Sequence, residues 1–133
     1  MTDTSQTNTA RANLLSGAVL NLLKAEGLVV FVLGTALYFQ MGGGWVMYLV
    51  LFLAPDLSMA GYAAGPRVGA IIYNTVHTYV GPAVLAGAGY YLMPELVPFA
   101  LIWAAHIGMD RVCAYGLKYS EAFASTHLNQ SGG

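Results

Sequence analysis

The stretch that decides the fold is residues 13–40, NLLSGAVLNLLKAEGLVVFVLGTALYFQ. It is almost continuously apolar, and a membrane-spanning helix needs only about 20 such residues. The apolar residues here and later in the chain form long runs that do not alternate with polar ones, so transmembrane strands are not expected. We therefore predict a long membrane helix whose first turns lie at the membrane interface.

The composition of the whole chain agrees with this reading. Of its 133 residues, 57% are hydrophobic and only 8% are charged, whereas an ordinary soluble domain has about 25% charged residues. Eleven charged side chains cannot cover a water-facing surface of this size, which predicts an integral membrane protein. The net charge of −1 and the lack of a basic stripe argue against nucleic acid as a partner. Cys113 is the single cysteine, which excludes an intrachain disulfide.

The arrangement of apolar runs predicts an all-α fold, a four-helix transmembrane bundle with up-down topology. The predicted segments are residues 13–40, 45–62, 67–92 and 97–118, joined by turns rich in glycine or proline. Gly81-Pro82 predicts a kink in the third segment. Residues 1–12 are predicted to be a disordered polar N-terminus, 13–118 the transmembrane domain and 119–133 a polar tail.

Basic residues near the segment ends predict the orientation. Arg11, Arg67 and Lys118 fall on one side of such a bundle, and the two turns on the other side contain neither Lys nor Arg. Because Lys and Arg accumulate in cytoplasmic loops, both termini are predicted to be cytoplasmic.

Every predicted segment contains polar or ionisable residues, although a charge at the centre of a span costs about 2.5–3.5 kcal/mol. Counting from the predicted cytoplasmic ends places several of them in one layer of the cytoplasmic half of the bilayer. The members of this layer are Asp56, Asn74, His77, His106 and Asp110, with Glu26 the deepest by counting. Such residues face the bundle interior and are candidates for function.

Spacing within the layer predicts a metal site. His106 and Asp110 are four residues apart and Asn74 and His77 three apart, so each pair shares one helix face. Facing helices of a bundle build metal sites in this way, and imidazole with carboxylate suits Zn, Fe or Mn. Arg111 is turned about 100° from Asp110; it could pair with an aspartate, reach the interface or hold a phosphate.

Simpler readings of the same residues stay open. The His106–Asp110 pair could be a buried hydrogen-bonded couple that fixes helix packing, and Asp56 could cap a helix that restarts after Pro55.

Two long motifs carry a resemblance to a known family. FLAPDLSMAGYAAGPRVGAIIYNTVHTYVGP (52–82) and LIWAAHIGMDRVCAYGLKY (101–119), with STHL (125–128), resemble an uncharacterised bacterial membrane family, the domain of unknown function numbered 4260. The resemblance covers residues 13–128 and implies a bacterial inner-membrane protein without naming an activity.

A weaker similarity is to the membrane-bound metal-dependent hydrolases, which share the order "PD", His in the next span, and H-x-x-x-D. This chain has Ser58 where a second acid is typical and only one His in YNTVHTY. The similarity implies that Asp56, His77, His106 and Asp110 are metal ligands. It also implies that Glu26 is the general base of a catalytic site.

Several functions are compatible with these residues. The first is a metal-dependent hydrolase acting on a lipid or amphipathic substrate near the cytoplasmic leaflet, with Glu26 and Arg111 as catalytic residues and Asn74 beside the ligands. The others are an ion or proton relay, which with four helices would need a homo-oligomer, a b-haem protein ligated by His77 and His106, and a structural membrane subunit.

Overall fold

The computed structural model describes residues 3–113 and the backbone of residues 118–119 and 122–126. Its helices are α1 (Thr4–Gln40), α2 (Trp45–Leu53), α3 (Pro66–Val76), α4 (Val80–Tyr91) and α5 (Val97–Val112), with 3₁₀ helices at Ala54–Ala64 and Pro94–Leu96. The all-α prediction is confirmed. Two short antiparallel strands, β1 (Lys118–Tyr119) and β2 (Ala122–Thr126), lie against α3 and were not predicted. The rest of the predicted polar tail lies outside the described residues.

Helix α1 begins nine residues earlier than predicted, at Thr4 instead of Asn13, so residues 4–12 are helical and not a disordered lead-in. The reason is an N-cap, because the Asp3 carboxylate accepts hydrogen bonds from the Ser5 backbone N–H at 3.0 Å and from the Ser5 hydroxyl at 2.9 Å. With 37 residues the helix is about 55 Å long, which exceeds the about 30 Å of a bilayer's hydrocarbon core.

The predicted third segment is two helices, separated at residues 77–79 and not at Gly81-Pro82. Pro82 instead lies in the first turn of α4, where its missing N–H needs no partner. The break frees the Val76 carbonyl, which accepts a hydrogen bond from the Trp103 indole N–H at 2.7 Å. A side chain from α5 therefore stabilises the interruption that carries His77.

The second and fourth segments also differ from the prediction. The second continues from α2 into the 3₁₀ helix Ala54–Ala64, which has Pro55 in its first turn. Helix α5 ends at Val112 and not at Lys118.

Helix α5 is the centre of the bundle and packs against α1, α2 and α4. Small residues bring α1 and α5 together: a Cβ added to Gly108 would lie 2.5 Å from the Gly27 carbonyl oxygen and 2.8 Å from the Phe31 nitrogen. Towards the α1–α2 turn the core is made by Tyr38, Tyr48 and Ile102. This close packing fixes the height of α5 relative to its neighbours.

The surface of the described residues is largely apolar. Two helical stretches, Thr4–Gln40 and Trp45–Ala64, are long and apolar enough to cross a membrane. Large apolar side chains along both are exposed, including Leu14, Val19, Val29, Leu33, Val46, Val50 and Leu57.

Candidate metal centre

Four side chains that are distant in sequence meet at one point of the bundle. Asp56 comes from the 3₁₀ helix Ala54–Ala64, His77 is the C-cap residue of α3, and His106 and Asp110 lie one turn apart on α5. Each offers one ligand atom, and these atoms all lie within 4.8 Å of one another. The four residues predicted as ligands are therefore brought together by three separate elements.

The distances among the four atoms have the size expected around one metal ion. His106 Nε2 lies 3.2 Å from Asp56 Oδ1, from Asp110 Oδ2 and from His77 Nε2, and His77 Nε2 lies 3.5 Å from each of the two carboxylate oxygens. A tetrahedral site with metal–ligand bonds of about 2.0–2.1 Å has ligand atoms about 3.3–3.4 Å apart. Five of the six distances between pairs of ligand atoms are thus close to the tetrahedral value.

His77 is held in an orientation that suits a ligand. Its Nδ1 lies 2.9 Å from the Tyr73 carbonyl oxygen, so this nitrogen carries the proton and donates, leaving the lone pair of Nε2 towards the cluster. The ring also stacks on the Tyr73 ring at 3.8 Å with planes 8° apart. In most metal-binding histidines, a hydrogen bond from the ring nitrogen that does not bind the metal fixes the tautomer and the direction of the ring.

His106 is equally buried but differently supported. It is 2% exposed, and its ring meets the Phe52 ring edge to face at 5.2 Å. Asp110 Oδ2 is buried, and it lies 3.2 Å from His106 Nε2 and 3.5 Å from His77 Nε2. Buried polar atoms normally have partners, and a cation between the ligand atoms would be a partner for this oxygen and for both imidazole nitrogens.

Three of the four side chains of the centre are mostly buried, and the fourth is exposed. The two histidine side chains are 3% exposed and that of Asp110 is 19% exposed, but the Asp56 side chain is 44% exposed. Water or a substrate could therefore approach beside Asp56.

The other predicted site residues do not contribute ligand atoms to this centre. Asn74 is half-buried on α3, one turn before His77. The Arg111 guanidinium lies over the Tyr79 ring, 5.3 Å from its centroid. Glu26 is exposed on α1 and lines a groove with Tyr79. The catalytic roles of Glu26 and Arg111 stay predictions.

Two supporting residues were missed by sequence reasoning. Tyr73 stands four residues before His77, a spacing that could have suggested ring contact on one helix face. Trp103 supports the break before His77 from another helix, and no local signal marks it.

The geometry also bears on the haem alternative. Axial ligation would put the iron between His77 Nε2 and His106 Nε2 with two opposed bonds of about 2 Å each, which requires about 4 Å between the nitrogens. They are 3.2 Å apart, with two carboxylates against them. The observed arrangement does not fit a haem.

Comparison with known proteins identifies a family but no activity. The sequence profile of DUF4260, a domain of unknown function, matches residues 20–130. Since this is most of the chain, the protein belongs to that family. No curated protein and no solved structure matches the chain significantly.

Proposed function

We propose that this member of the DUF4260 family is an integral membrane metalloprotein that hydrolyses a lipid or amphipathic substrate near the cytoplasmic leaflet. The observation that carries the proposal is the convergence of Asp56, His77, His106 and Asp110 on one point with near-tetrahedral spacing. Two imidazoles and two carboxylates are ligands that suit Zn, Fe or Mn.

The membrane part of the proposal rests on the exposed surface. Apolar side chains along α1 and α2 face outwards, as they do where lipid is the solvent. At the end of the bundle formed by the α1–α2 and α4–α5 turns, Trp45, Tyr90 and Tyr91 are 66%, 76% and 82% exposed. Aromatic residues of this kind concentrate at the membrane–water boundary. The metal centre lies away from that end, towards the C-terminus of α5, which is the predicted cytoplasmic side.

The proposed hydrolytic activity rests on the imidazole and carboxylate ligands and on the exposure of the centre at Asp56. A divalent ion at this centre would polarise a substrate oxygen and activate water at neutral pH. The buried histidines hold their positions through Tyr73 and Phe52, whereas Asp56 borders the open side. Four protein ligands would fill a tetrahedral site, so a catalytic role requires a fifth coordination position, which the accessible edge beside Asp56 would supply.

A proton relay is the second candidate. The 3.2 Å contact between the Nε2 atoms of His77 and His106 favours it, because in the absence of a cation a proton can be shared there. This candidate predicts proton flux into liposomes that does not depend on added metal. A hydrolase predicts no such flux.

Metal content tests the first part of the proposal. The protein purified in detergent should carry stoichiometric metal, measured by plasma mass spectrometry, and should take up Co²⁺ with the visible absorption of an N/O site. His77→Ala and His106→Ala should lose it. Glu95→Gln, which changes an exposed carboxylate in the α4–α5 turn, is the matched control and should retain it. Metal-free wild-type protein, or full retention by both histidine variants, would end the proposal.

Hydrolysis tests the second part. The metal-loaded protein should cleave nitrophenyl esters or phosphoesters presented in micelles, and chelation should abolish this. Asp110→Asn should reduce the rate at least tenfold while Glu95→Gln leaves it unchanged. Turnover that survives both chelation and Asp110→Asn would assign the activity to something else.

A further inference from the structure

An apolar cavity lies on the side of α5 that carries His106 and Asp110, although none of the four candidate ligands is among the residues that line it. We propose that it binds the hydrocarbon chain of the substrate, so that the substrate is a single-chain amphiphile whose hydrolysable group lies directly at the end of that chain. This inference rests on the proposed function and adds the substrate class to it.

The cavity has a volume of about 280 Å³ and opens on the apolar surface. Its walls come from α2, the 3₁₀ helix that follows, α3, α4 and α5. They include Leu51, Pro55, Val76, Leu85, Phe99 and Trp103.

The cavity and the metal centre share one face of α5. Phe99, Trp103, His106 and Asp110 follow one another at spacings of four, three and four residues, which keeps them on one side of a helix. Phe99 and Trp103 line the cavity, and the next two hold ligand atoms. The rise from Trp103 to His106 is only about 4.5 Å. We therefore expect the polar end of a chain lying in the cavity to extend past Trp103 to the ligand atoms.

Cavity residues on two other elements are also next to candidate ligands in the sequence. Pro55 immediately precedes the ligand Asp56, and Val76 immediately precedes the ligand His77. Three of the four ligands are thus next to, or one helical turn from, a residue that lines the cavity.

The apolar lining of the cavity favours a hydrocarbon chain as its ligand. All the lining side chains are apolar apart from the indole N–H of Trp103, which already donates to the Val76 carbonyl. A polar ligand would find no side-chain partner among them. The volume of about 280 Å³ lies just below the range of about 300–1,000 Å³ that is typical of ligand pockets, which suits one alkyl chain better than two.

A homologous series of metal-binding amphiphiles tests the assignment. The probes are alkyl hydroxamates from acetohydroxamate to octanohydroxamate, titrated into Co²⁺-loaded protein in phosphatidylcholine nanodiscs and followed by the visible Co²⁺ spectrum. Each added methylene buried in the cavity should tighten binding up to about fourfold, until the cavity is filled.

Two neighbouring substitutions on α4 separate the cavity from the bulk lipid. Leu85→Trp fills the cavity from a helix that carries no ligand, so it should keep wild-type affinity for acetohydroxamate and lose at least tenfold for octanohydroxamate. Val84→Trp changes a neighbouring side chain that is 67% exposed and does not line the cavity; it should behave as wild type. Equal losses in both variants, or none in Leu85→Trp, would show that the chain stays in the bilayer.

Trp103 gives a second readout that needs no metal. In a Trp45→Phe background it is the only tryptophan. Brominated octanoate should quench its fluorescence, and unbrominated octanoate, but not acetate, should relieve the quenching. If Co²⁺ does not bind at all, the proposed hydrolase fails, and quenching alone decides whether the cavity holds a chain. Quenching that octanoate cannot relieve overturns the inference, even if Leu85→Trp does not fold.

Discussion

Replacing Gly108 with alanine tests the packing that positions the centre. Gly108 lies between the candidate ligands His106 and Asp110 on α5, against Gly27 and Phe31 of α1. An added Cβ would lie 2.5 Å from the Gly27 carbonyl oxygen and 2.8 Å from the Phe31 nitrogen. Both contacts are to backbone, so no flexible side chain can move aside.

The expected cost follows from these distances. Heavy atoms in contact prefer about 3.5 Å, so the two helices must separate by about 1 Å at this crossing. Forcing an extra methyl into a packed interface costs about 1–3 kcal/mol, whereas alanine gains about 0.5–1 kcal/mol over glycine as a helix former. We expect a net loss of about 1–2 kcal/mol in the free energy of unfolding. Because α5 carries two ligands, metal affinity should also fall, by roughly the 10–100-fold typical when the support of a ligand is disturbed.

The matched control is Gly87→Ala on α4, where an added Cβ meets nothing within 4 Å. It should be neutral or stabilising by up to about 1 kcal/mol, with unchanged metal affinity. Unfolding in mixed detergent micelles, followed by circular dichroism, and competition titration with Co²⁺ measure the two effects. The reasoning is refuted if Gly108→Ala is as stable as Gly87→Ala and binds Co²⁺ equally well.

Three further predictions use the same assays. Trp103→Phe removes the N–H that satisfies the Val76 carbonyl and should cost about 1–3 kcal/mol of stability; an unchanged stability would show that water or another group replaces it. Tyr38→Phe removes the 2.9 Å bond to the Gly44 carbonyl, with an expected loss of about 0.5–1.5 kcal/mol and no change in metal affinity. Chelation should lower stability by about 2.7 kcal/mol relative to protein held at a hundredfold excess of metal over the dissociation constant; a stability insensitive to chelator would contradict a metal bound to the folded state.

The sequence predicted the layer of candidate ligands because the depth of each residue can be counted from the ends of its helix. Asp56, His77, His106 and Asp110 were assigned to one height from their distances to helix ends, and their ligand atoms do meet. The spacing of His106 and Asp110 placed them on one face independently of any other helix. Height and periodicity are local properties, which is why they could be predicted.

The direction in which a side chain points around its helix axis is harder to predict, because whether that direction is buried depends on which other helices pack there. Glu26 is near the correct height, since the adjacent Gly27 packs against Gly108 and Arg111, yet Glu26 itself is exposed. At the interruption of the third segment before Gly81, the freed Val76 carbonyl accepts a hydrogen bond from Trp103, a residue of another helix. The start of α1 was predictable in principle, because Asp3 precedes a stretch that it can cap.

The charges at the centre favour a bound cation over a role in helix packing alone. Two carboxylates lie against two imidazoles, and among the described residues their ion-pair distances go to histidines alone. Asp110 is the more buried of the two carboxylates, and uncompensated buried charge is costly, so a cation beside it would be stabilising. A divalent cation would balance two carboxylates at the point where the four ligand atoms converge. The same ion would make folding depend on metal, which is what the chelation experiment measures.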